Sequence, residues 1–286
     1  IILILLSIGL FFLNGLNFGI DFKGGTLIEI ETQNKIEISE VRSSLNSLSL
    51  GDIQVQEFGS DKNLLIRIEQ QQGGDQIQQN VLEIVKQKLM NDISETINFR
   101  RTEVVGPKVS GELIQSGTIA ILVAVFAMLI YIWLRFEWQF SLGAVIALLH
   151  DVILTIGVFC LTQLEFNLPI IAAILTIVGY SMNDTVVVYD RVRENLRKFR
   201  SKEITSLLNL SINETLSRTI VTSVTTLLAL VSLYIFGGEV IKGFTFAMIW
   251  GVLVGTYSSI FVAAPLLTYL DVKREWNTTT AVDSTK

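Results

Sequence analysis

One aspartate with the potential to carry a proton, Asp184, stands inside a stretch that is otherwise apolar enough to cross a bilayer. A charged side chain in the middle of a membrane costs about 2.5–3.5 kcal/mol on insertion scales, so such a residue usually has a partner or a function. The stretch, residues 179–193, ends with the charged run Asp190-Arg191-Val192-Arg193. The chemistry this pattern indicates is the reversible protonation of a buried acid.

A second charge, Arg218, lies at a similar depth in the next apolar segment. At the rise of an α-helix, Asp184 is roughly 22 Å from Pro169, and Arg218 is roughly 27 Å from Phe236, at the same side of the membrane. An arginine favours an ionised carboxylate, whereas a low-dielectric surrounding favours the protonated acid. We therefore expect Asp184 and Arg218 to pair as a proton relay. The alternative is a static ion pair that fixes helix register.

Other polar groups in apolar segments are candidates to support this pair. His150 and Asp151 are adjacent in another segment, where they either extend the relay or hold a helix contact. Tyr180 and Ser181 precede Asp184 by four and three residues, so on a helix they share its face and are expected to hydrate or orient it. The supporting set is His150, Asp151, Tyr180, Ser181, Asn183 and Thr222. The only cysteine, Cys160, excludes an internal disulfide and a cysteine-based metal site, and no metal is expected.

The elements that must position these residues are membrane helices. The chain has 286 residues, of which 50% are hydrophobic and 17% charged, a balance typical of an integral membrane protein. Apolar segments near 113–134, 139–163, 168–189, 212–236 and 243–270 are each long enough to span a bilayer. Ile1 already lies in an apolar segment, so residues 1–18 are read as a first helix with a truncated start. In the last segment, Gly251 and Gly255 form a small-residue face that indicates close helix packing.

A hydrophilic block at residues 19–112 separates the first helix from the other five, which lie within 113–270. It has 15 acidic and 10 basic residues, which accounts for the whole net charge of −5. Alternation and helical spacing predict strands at 26–31, 53–58, 64–68 and 96–105, with helices at 38–48 and 77–90 and a turn at 59–63. This βαββαβ order is that of an α+β, ferredoxin-like domain.

The basic residues of the short loops predict the orientation. They concentrate after the fourth segment and in the tail at 271–286, which contains Lys273 and Arg274, and Arg135 lies on the same side. Loops rich in Lys and Arg stay in the cytoplasm. Both termini are therefore expected to be cytoplasmic, and residues 19–112 to be periplasmic in a multi-pass protein of the bacterial inner membrane.

Several motifs resemble those of the SecD/SecF family of bacterial protein-export proteins, which has a resistance-nodulation-division type of fold. The match runs from end to end, and the long motif around Asp184 is similar to the SecF branch specifically. The motifs are Phe18-Gly19-Ile20-Asp21-Phe22-Lys23-Gly24-Gly25-Thr26, Val105-Gly106-Pro107-Lys108-Val109-Ser110, Leu149-His150-Asp151, Gly179-Tyr180-Ser181-Met182-Asn183-Asp184-Thr185, and Leu216-Ser217-Arg218-Thr219.

The resemblance implies an accessory subunit that works with SecD beside the SecYEG translocon. It implies that the proton-motive force helps to complete the export of unfolded preproteins, with no cofactor and no enzymatic reaction. The family's membrane aspartate corresponds to Asp184 and its arginine to Arg218. The family's relay also uses an aspartate of SecD, which this chain cannot supply.

Three alternatives compete with this interpretation. One is a proton-coupled exporter half of the same fold that moves a lipid or small molecule, for which a substrate tunnel would be diagnostic. Another is an intramembrane aspartyl protease using Asp151 and Asp184, which the residues before Asp184 and the nearby Arg218 disfavour. The last is a structural scaffold, which leaves the buried charges unexplained. The low basic content argues against nucleic-acid binding.

Overall fold

The computed structural model describes residues 2–71, 73, 75–94, 96–270 and 272. The predicted tail at 271–286, with Lys273 and Arg274, lies outside the described residues except for Val272. Within the described ranges the chain forms a small α/β unit and a bundle of long apolar helices, joined by short segments.

The hydrophilic block forms a four-stranded sheet with two helices, in the predicted order of elements. These elements are β1 (Gly25–Glu31), α3 (Ile38–Asn46), β2 (Ile53–Phe58), β3 (Ser60–Ile68), α4 (Asp75–Asp92) and β4 (Asn98–Val105), and they follow α1 (Ile2–Asn14) and the short α2 (Ile20–Lys23). The predicted turn at 59–63 is wrong in extent, because β3 already begins at Ser60. Gly59 alone makes the turn, with a φ of +81° that favours glycine.

The sheet is antiparallel, with strand order β2-β3-β1-β4. Alternating side chains on the strands face the two helices, as the period of two requires. Ile28 of β1 pairs with Ile66 of β3, and both are fully buried against Val41 of α3 and Val85 of α4. This apolar layer is the core of the α/β unit.

Five helices are long and apolar enough to cross a membrane among the described residues. The bundle contains α5 (Pro107–Arg135), α6 (Trp138–Thr162), α7 (Leu168–Lys198), α8 (Ile204–Phe236), α9 (Glu239–Ser258), a π-helix (Ser259–Ala263) and α10 (Ala264–Tyr269). The last three elements form one continuous span, Glu239–Tyr269. Helix α1 is apolar but has 13 residues, and it packs against α6. Helix α5 begins at Pro107, so its first residues overlap the end of the predicted block at 19–112.

Small residues let the central helices approach one another. A side chain on Gly251 of α9 would collide with Ile177 of α7, and a Cβ on Gly255 would lie 3.0 Å from the Cβ of Ser181. The predicted small-residue face is therefore a packing surface between α9 and α7. It brings the end of α9 and the π-helix close to the middle of α7.

The α/β unit is attached to the N-terminal end of α7. The backbone N–H of Leu168, at the first turn of α7, donates to Asp21 Oδ2 at 2.8 Å. Arg67 of β3 forms an ion pair with Glu165, in the loop between α6 and α7. Backbone hydrogen bonds from Gly19 to Phe166 and from Phe166 to Asn17 join the same two segments. The helix that carries Asp184 is thus fixed at one end to the sheet.

Candidate functional site

The carboxylate of Asp184 is buried and is held by two hydroxyls from two other elements. Its side chain lies in the interior of the bundle, with the residue 7% exposed. Thr219 of α8 donates to Oδ1 at 2.7 Å, and Ser259 of the π-helix donates to Oδ2 at 2.5 Å. Both oxygens of the acid therefore have a neutral hydrogen-bond partner, which offsets part of the cost of burial.

The expected contact between Asp184 and Arg218 is not formed in this structure. Arg218 lies on an exposed face of α8, and in the part of the chain that the structure describes it makes no ion pair within 4.0 Å. Consecutive helical residues point about 100° apart. Because Thr219 faces α7, its neighbour Arg218 is turned about 100° from that direction, onto an exposed face of α8.

The stripe of α8 that faces α7 is displaced by one residue from the predicted one. The sequence pattern singled out Arg218 and Thr222, but Thr222 is exposed and donates to the carbonyls of Arg218 and Thr219 in its own helix. The buried stripe repeats every four residues and consists of Ser211, Thr215, Thr219 and Ser223. Its regular spacing of hydroxyl residues is the sequence signal that would have identified Thr219.

A second buried acid, Asp151 of α6, has a hydrogen-bond shell of its own. Its exposed fraction is 1%. The adjacent His150 ring lies 2.9 Å from Oδ1 through Nδ1, while Ser258 donates to Oδ2 at 2.7 Å. Ser181 donates to the same oxygen. His150 also stacks on the ring of Tyr257, so its orientation is fixed from two sides.

Three supporting residues predicted around Asp184 do not contact it. Ser181 bonds Asp151 instead of Asp184, and the hydroxyl of Tyr180 donates to Ser223 at 3.2 Å. Asn183 is exposed. Sharing a helix face brings residues to one side, but partners on neighbouring helices decide which group each side chain reaches. The prediction that Tyr180 and Ser181 orient the carboxylate of Asp184 is therefore wrong for this conformation.

Sequence reasoning missed Ser258, which bonds Asp151, and Ser259, which bonds Asp184. They are consecutive residues at the point where α9 passes into the π-helix, and both are fully buried. Single π-turns within α-helices occur often at functional sites. A pair of serines in an otherwise apolar last helix, three and four residues after Gly255, was the available signal.

The two acids do not form a catalytic dyad of the protease type. Among the described residues no hydrogen bond joins the carboxylates of Asp151 and Asp184 directly, and each has separate hydroxyl donors. Nor do the described residues contain a group of three or more His, Cys, Asp or Glu side chains that could hold a metal ion. The arrangement is suited to holding and exchanging protons.

Ion pairs surround the predicted cytoplasmic end of α7. Arg135 bonds Asp190 at 2.8 Å, and Arg191 bonds Glu214 of α8 at 2.7 Å. Asn195, which is buried, also donates to Glu214. These contacts fix α7 to α5 and α8 beyond the level of Asp184.

Comparison with known proteins identifies the family of this chain. The model described as "Protein export membrane protein SecD/SecF, C-terminal" matches residues 85–273, and the SecD/SecF GG motif matches residues 9–36. The chain belongs to the SecD/SecF family of protein-export membrane proteins. The resemblance expected from the motifs around Asp21 and Asp184 is thus confirmed.

Curated SecD/SecF relatives match over most of their length. The protein translocase subunit SecF of Rickettsia bellii is 50% identical over 258 residues, which are 90% of this chain and 84% of the relative. That of Cereibacter sphaeroides is 50% identical over 266 residues, 91% of this chain and 82% of the relative.

Solved structures of the family share the fold. The crystal structure of SecDF, a translocon-associated membrane protein from Thermus thermophilus, has a TM-score of 0.84 at 35% identity over 94% of this chain. A SecDF in a super-membrane-facing form has a TM-score of 0.68 at the same identity and coverage. This chain spans 36% of the length of each of those SecDF chains.

Proposed function

We propose that this chain is the SecF-type subunit of a SecDF complex and uses the proton-motive force to assist preprotein export. Asp184 carries the proton in this proposal. The observation that supports it most is a buried acid whose described partners are only hydroxyls, Thr219 and Ser259. A hydroxyl can donate to a carboxylate and can also accept from a carboxylic acid, so this shell suits both protonation states.

The relatives support the export role. They are protein translocase SecF subunits, about half identical to this chain over most of its length. SecD is the partner inferred from the SecDF structures, and the SecYEG translocon and an unfolded preprotein are the further partners we propose. The chain acts as a transport subunit and not as an enzyme, and the transmembrane proton gradient replaces a cofactor.

Arg218 in this proposal interacts with SecD. Its side chain lies on an exposed face of α8 and makes no ion pair with Asp184 within 4.0 Å among the described residues. An arginine at membrane depth is costly unless it is paired. We infer that an acid of SecD is its partner, and that Arg218 reaches Asp184 only in another conformation of the complex.

The proposed architecture has six membrane helices, with α1 as the first and the α/β unit between α1 and α5. The strand order β2-β3-β1-β4 and the βαββαβ order of elements support a ferredoxin-like classification of the unit. The basic residues near the end of α7 support cytoplasmic termini and a periplasmic sheet. Each proton crossing would supply about 2.3 kcal/mol per 100 mV.

The proposal is tested by Asp184→Asn in membrane vesicles that export a preprotein under an imposed proton gradient. The amide keeps the size of the side chain but cannot carry the proton, so the stimulation by the gradient should be lost while membrane insertion and binding to SecD persist. The matched control is Asp190→Asn, which changes an acid on the same helix whose partner is Arg135. Normal stimulation in Asp184→Asn would refute the relay.

A further inference from the structure

Two consecutive serines connect the two buried acids. Ser258 donates to Asp151 Oδ2 at 2.7 Å, and Ser259 donates to Asp184 Oδ2 at 2.5 Å. The acids themselves lie on different helices, α6 and α7. One turn of the last span therefore reaches both carboxylates at once.

Each serine also has a second acceptor within its own helix. The Ser258 oxygen lies 3.1 Å from the carbonyl oxygen of Gly255, and the Ser259 oxygen lies 3.0 Å from that of Thr256. A hydroxyl has one proton to donate and two lone pairs to accept with. Each serine can therefore donate to its carboxylate, or accept from the protonated acid while its own proton points to the backbone.

The backbone at this point is suited to a change of hydrogen bonding. The π-helix Ser259–Ala263 interrupts the regular ladder directly after Ser258. The hydroxyl of Tyr189, on α7, donates to the carbonyl of Ala263 at 3.0 Å and so attaches the far end of this turn to the helix of Asp184. The π-turn is thus fixed to α7 at both ends.

We propose that Ser258 and Ser259 couple Asp151 and Asp184 into one proton-binding unit, in which Asp151 is a second protonation site. When a proton from the gradient binds Asp184, the new O–H donates to Ser259, and the serine proton turns to the carbonyl of Thr256. The covalent bonds of the serine stay intact, and the proton leaves from the same carboxyl group. The change in hydrogen bonding is transmitted along the π-turn to Ser258 and its acid.

The inference rests on the proposed function only for its physiological role, since the hydrogen bonds themselves are independent of transport. Other ionisable groups lie on the helices that pack around the two acids. Among the described residues they include His150 on α6, Tyr180 and Tyr189 on α7, Arg218 on α8 and Tyr257 on α9. Within the described ranges, His150 is the one of these groups that bonds an acid directly.

Infrared spectroscopy of the full chain assembled with SecD tests the coupling. The carbonyl-stretch bands of the two protonated acids are assigned by their loss in Asp184→Asn and Asp151→Asn. In Ser259→Ala, we expect the Asp184 band to shift because a hydrogen bond is lost. We also expect the Asp151 band to shift, although Ser259 does not contact Asp151. A serine with a merely structural role would move the Asp184 band alone.

The matched control is Thr245→Val, which removes a buried hydroxyl of α9 whose one acceptor among the described residues is the carbonyl of Ile241. Thr245→Val should shift neither the Asp184 band nor the Asp151 band. Ser259→Thr keeps the hydroxyl, so both bands should return to their wild-type positions. Gradient-stimulated export should fall about tenfold in Ser259→Ala. An unmoved Asp151 band in Ser259→Ala would overturn the coupling. If Ser259→Ala fails to assemble, Ser258→Ala carries the same test in reverse, with the Asp184 band as the readout.

The outcome separates this inference from the proposed function. Loss of gradient-stimulated export in Asp184→Asn, together with an unmoved Asp151 band in Ser259→Ala, would leave the relay intact and remove the coupling. Normal export in Asp184→Asn would remove the relay, while a moved Asp151 band would still support the coupled pair.

Discussion

Two neighbouring residues of α8, Arg218 and Thr219, have different environments and therefore different roles. Thr219 is buried against Asp184, whereas Arg218 points about 100° away from Thr219 around the helix and is exposed. A hydrogen bond to a charged group contributes about 1.5–3 kcal/mol, and a buried acceptor that loses its donor keeps its full cost of desolvation. Thr219 therefore positions the acid from within the chain, and Arg218 is available to a partner.

We predict that Thr219→Val lowers gradient-stimulated export by about tenfold or more, because each 1.4 kcal/mol of lost stabilisation is a factor of ten. The substitution keeps the shape and removes the donor to Asp184. The matched control is Thr226→Val, since in the part of the chain that the structure describes Thr226 donates only to the carbonyl of Thr222 in its own helix. Equal effects of the two substitutions on preprotein export in vesicles would contradict the role of Thr219.

At the residue scale, the sequence identified the charged members of the site and missed the hydroxyls. Asp184, Asp151 and His150 stand out because a charge in an apolar segment is costly wherever it points. Serine and threonine carry no such signal, since they can satisfy themselves on their own helix. Ser259 became recognisable only when the packing of α9 on α7 was known.

At the scale of elements, helix α7 connects the site to the sheet. Asp21 accepts the hydrogen bond of Leu168 at the first turn of α7, and Arg67 of β3 bonds Glu165 just before it. A carboxylate at a helix N-terminus satisfies a free N–H and interacts favourably with the helix dipole. A displacement of α7 would therefore be transmitted to the α/β unit.

We predict that Asp21→Ala lowers the free energy of unfolding by about 0.5–2 kcal/mol, because α7 loses its cap. Asp21→Asn keeps an acceptor and should cost less. The measurement is the thermal unfolding midpoint of the full chain in detergent, with Asp61→Ala as control because Asp61 is exposed on β3. A midpoint for Asp21→Ala equal to that of the control would show that Asp21 does not stabilise α7.

Several elements could be predicted because their patterns are strong. The alternation of apolar residues such as Ile66 and Ile68, and the long apolar runs, predict the order of strands and helices along the chain and the membrane spans. The start of α5 at Pro107 and the π-turn could not be predicted, because helix ends and ladder breaks depend on contacts with other elements.

At the scale of the whole molecule, the exposed apolar surface is unevenly distributed. In the most apolar 18 residues of α5 and of α8, only 11% of the residues are buried, compared with 56% in α6 and in α7. Lipid or another membrane protein can cover these exposed faces. Arg218 lies on the exposed face of α8. The family's solved SecDF structures match this chain to different degrees, with TM-scores of 0.84 and 0.68.

The proposed topology predicts which side of the membrane each loop faces. With the buried Cys160 replaced by Ala, Ser60→Cys should react with a membrane-impermeant maleimide added to intact cells that lack an outer membrane barrier. Ser201→Cys should react only after the inner membrane is permeabilised. Both positions are exposed in the structure, so accessibility to the reagent reports the side of the membrane. Labelling in the opposite order would invert the topology.

The central claim is that Asp184 carries protons across the membrane, and proton uptake into vesicles tests it most directly. Vesicles containing this chain and SecD, with a pH-sensitive dye inside, are energised by an imposed potential. We predict proton uptake with the wild-type chain and with Asp190→Asn, and its loss with Asp184→Asn. Uptake at the wild-type rate in Asp184→Asn would contradict the account.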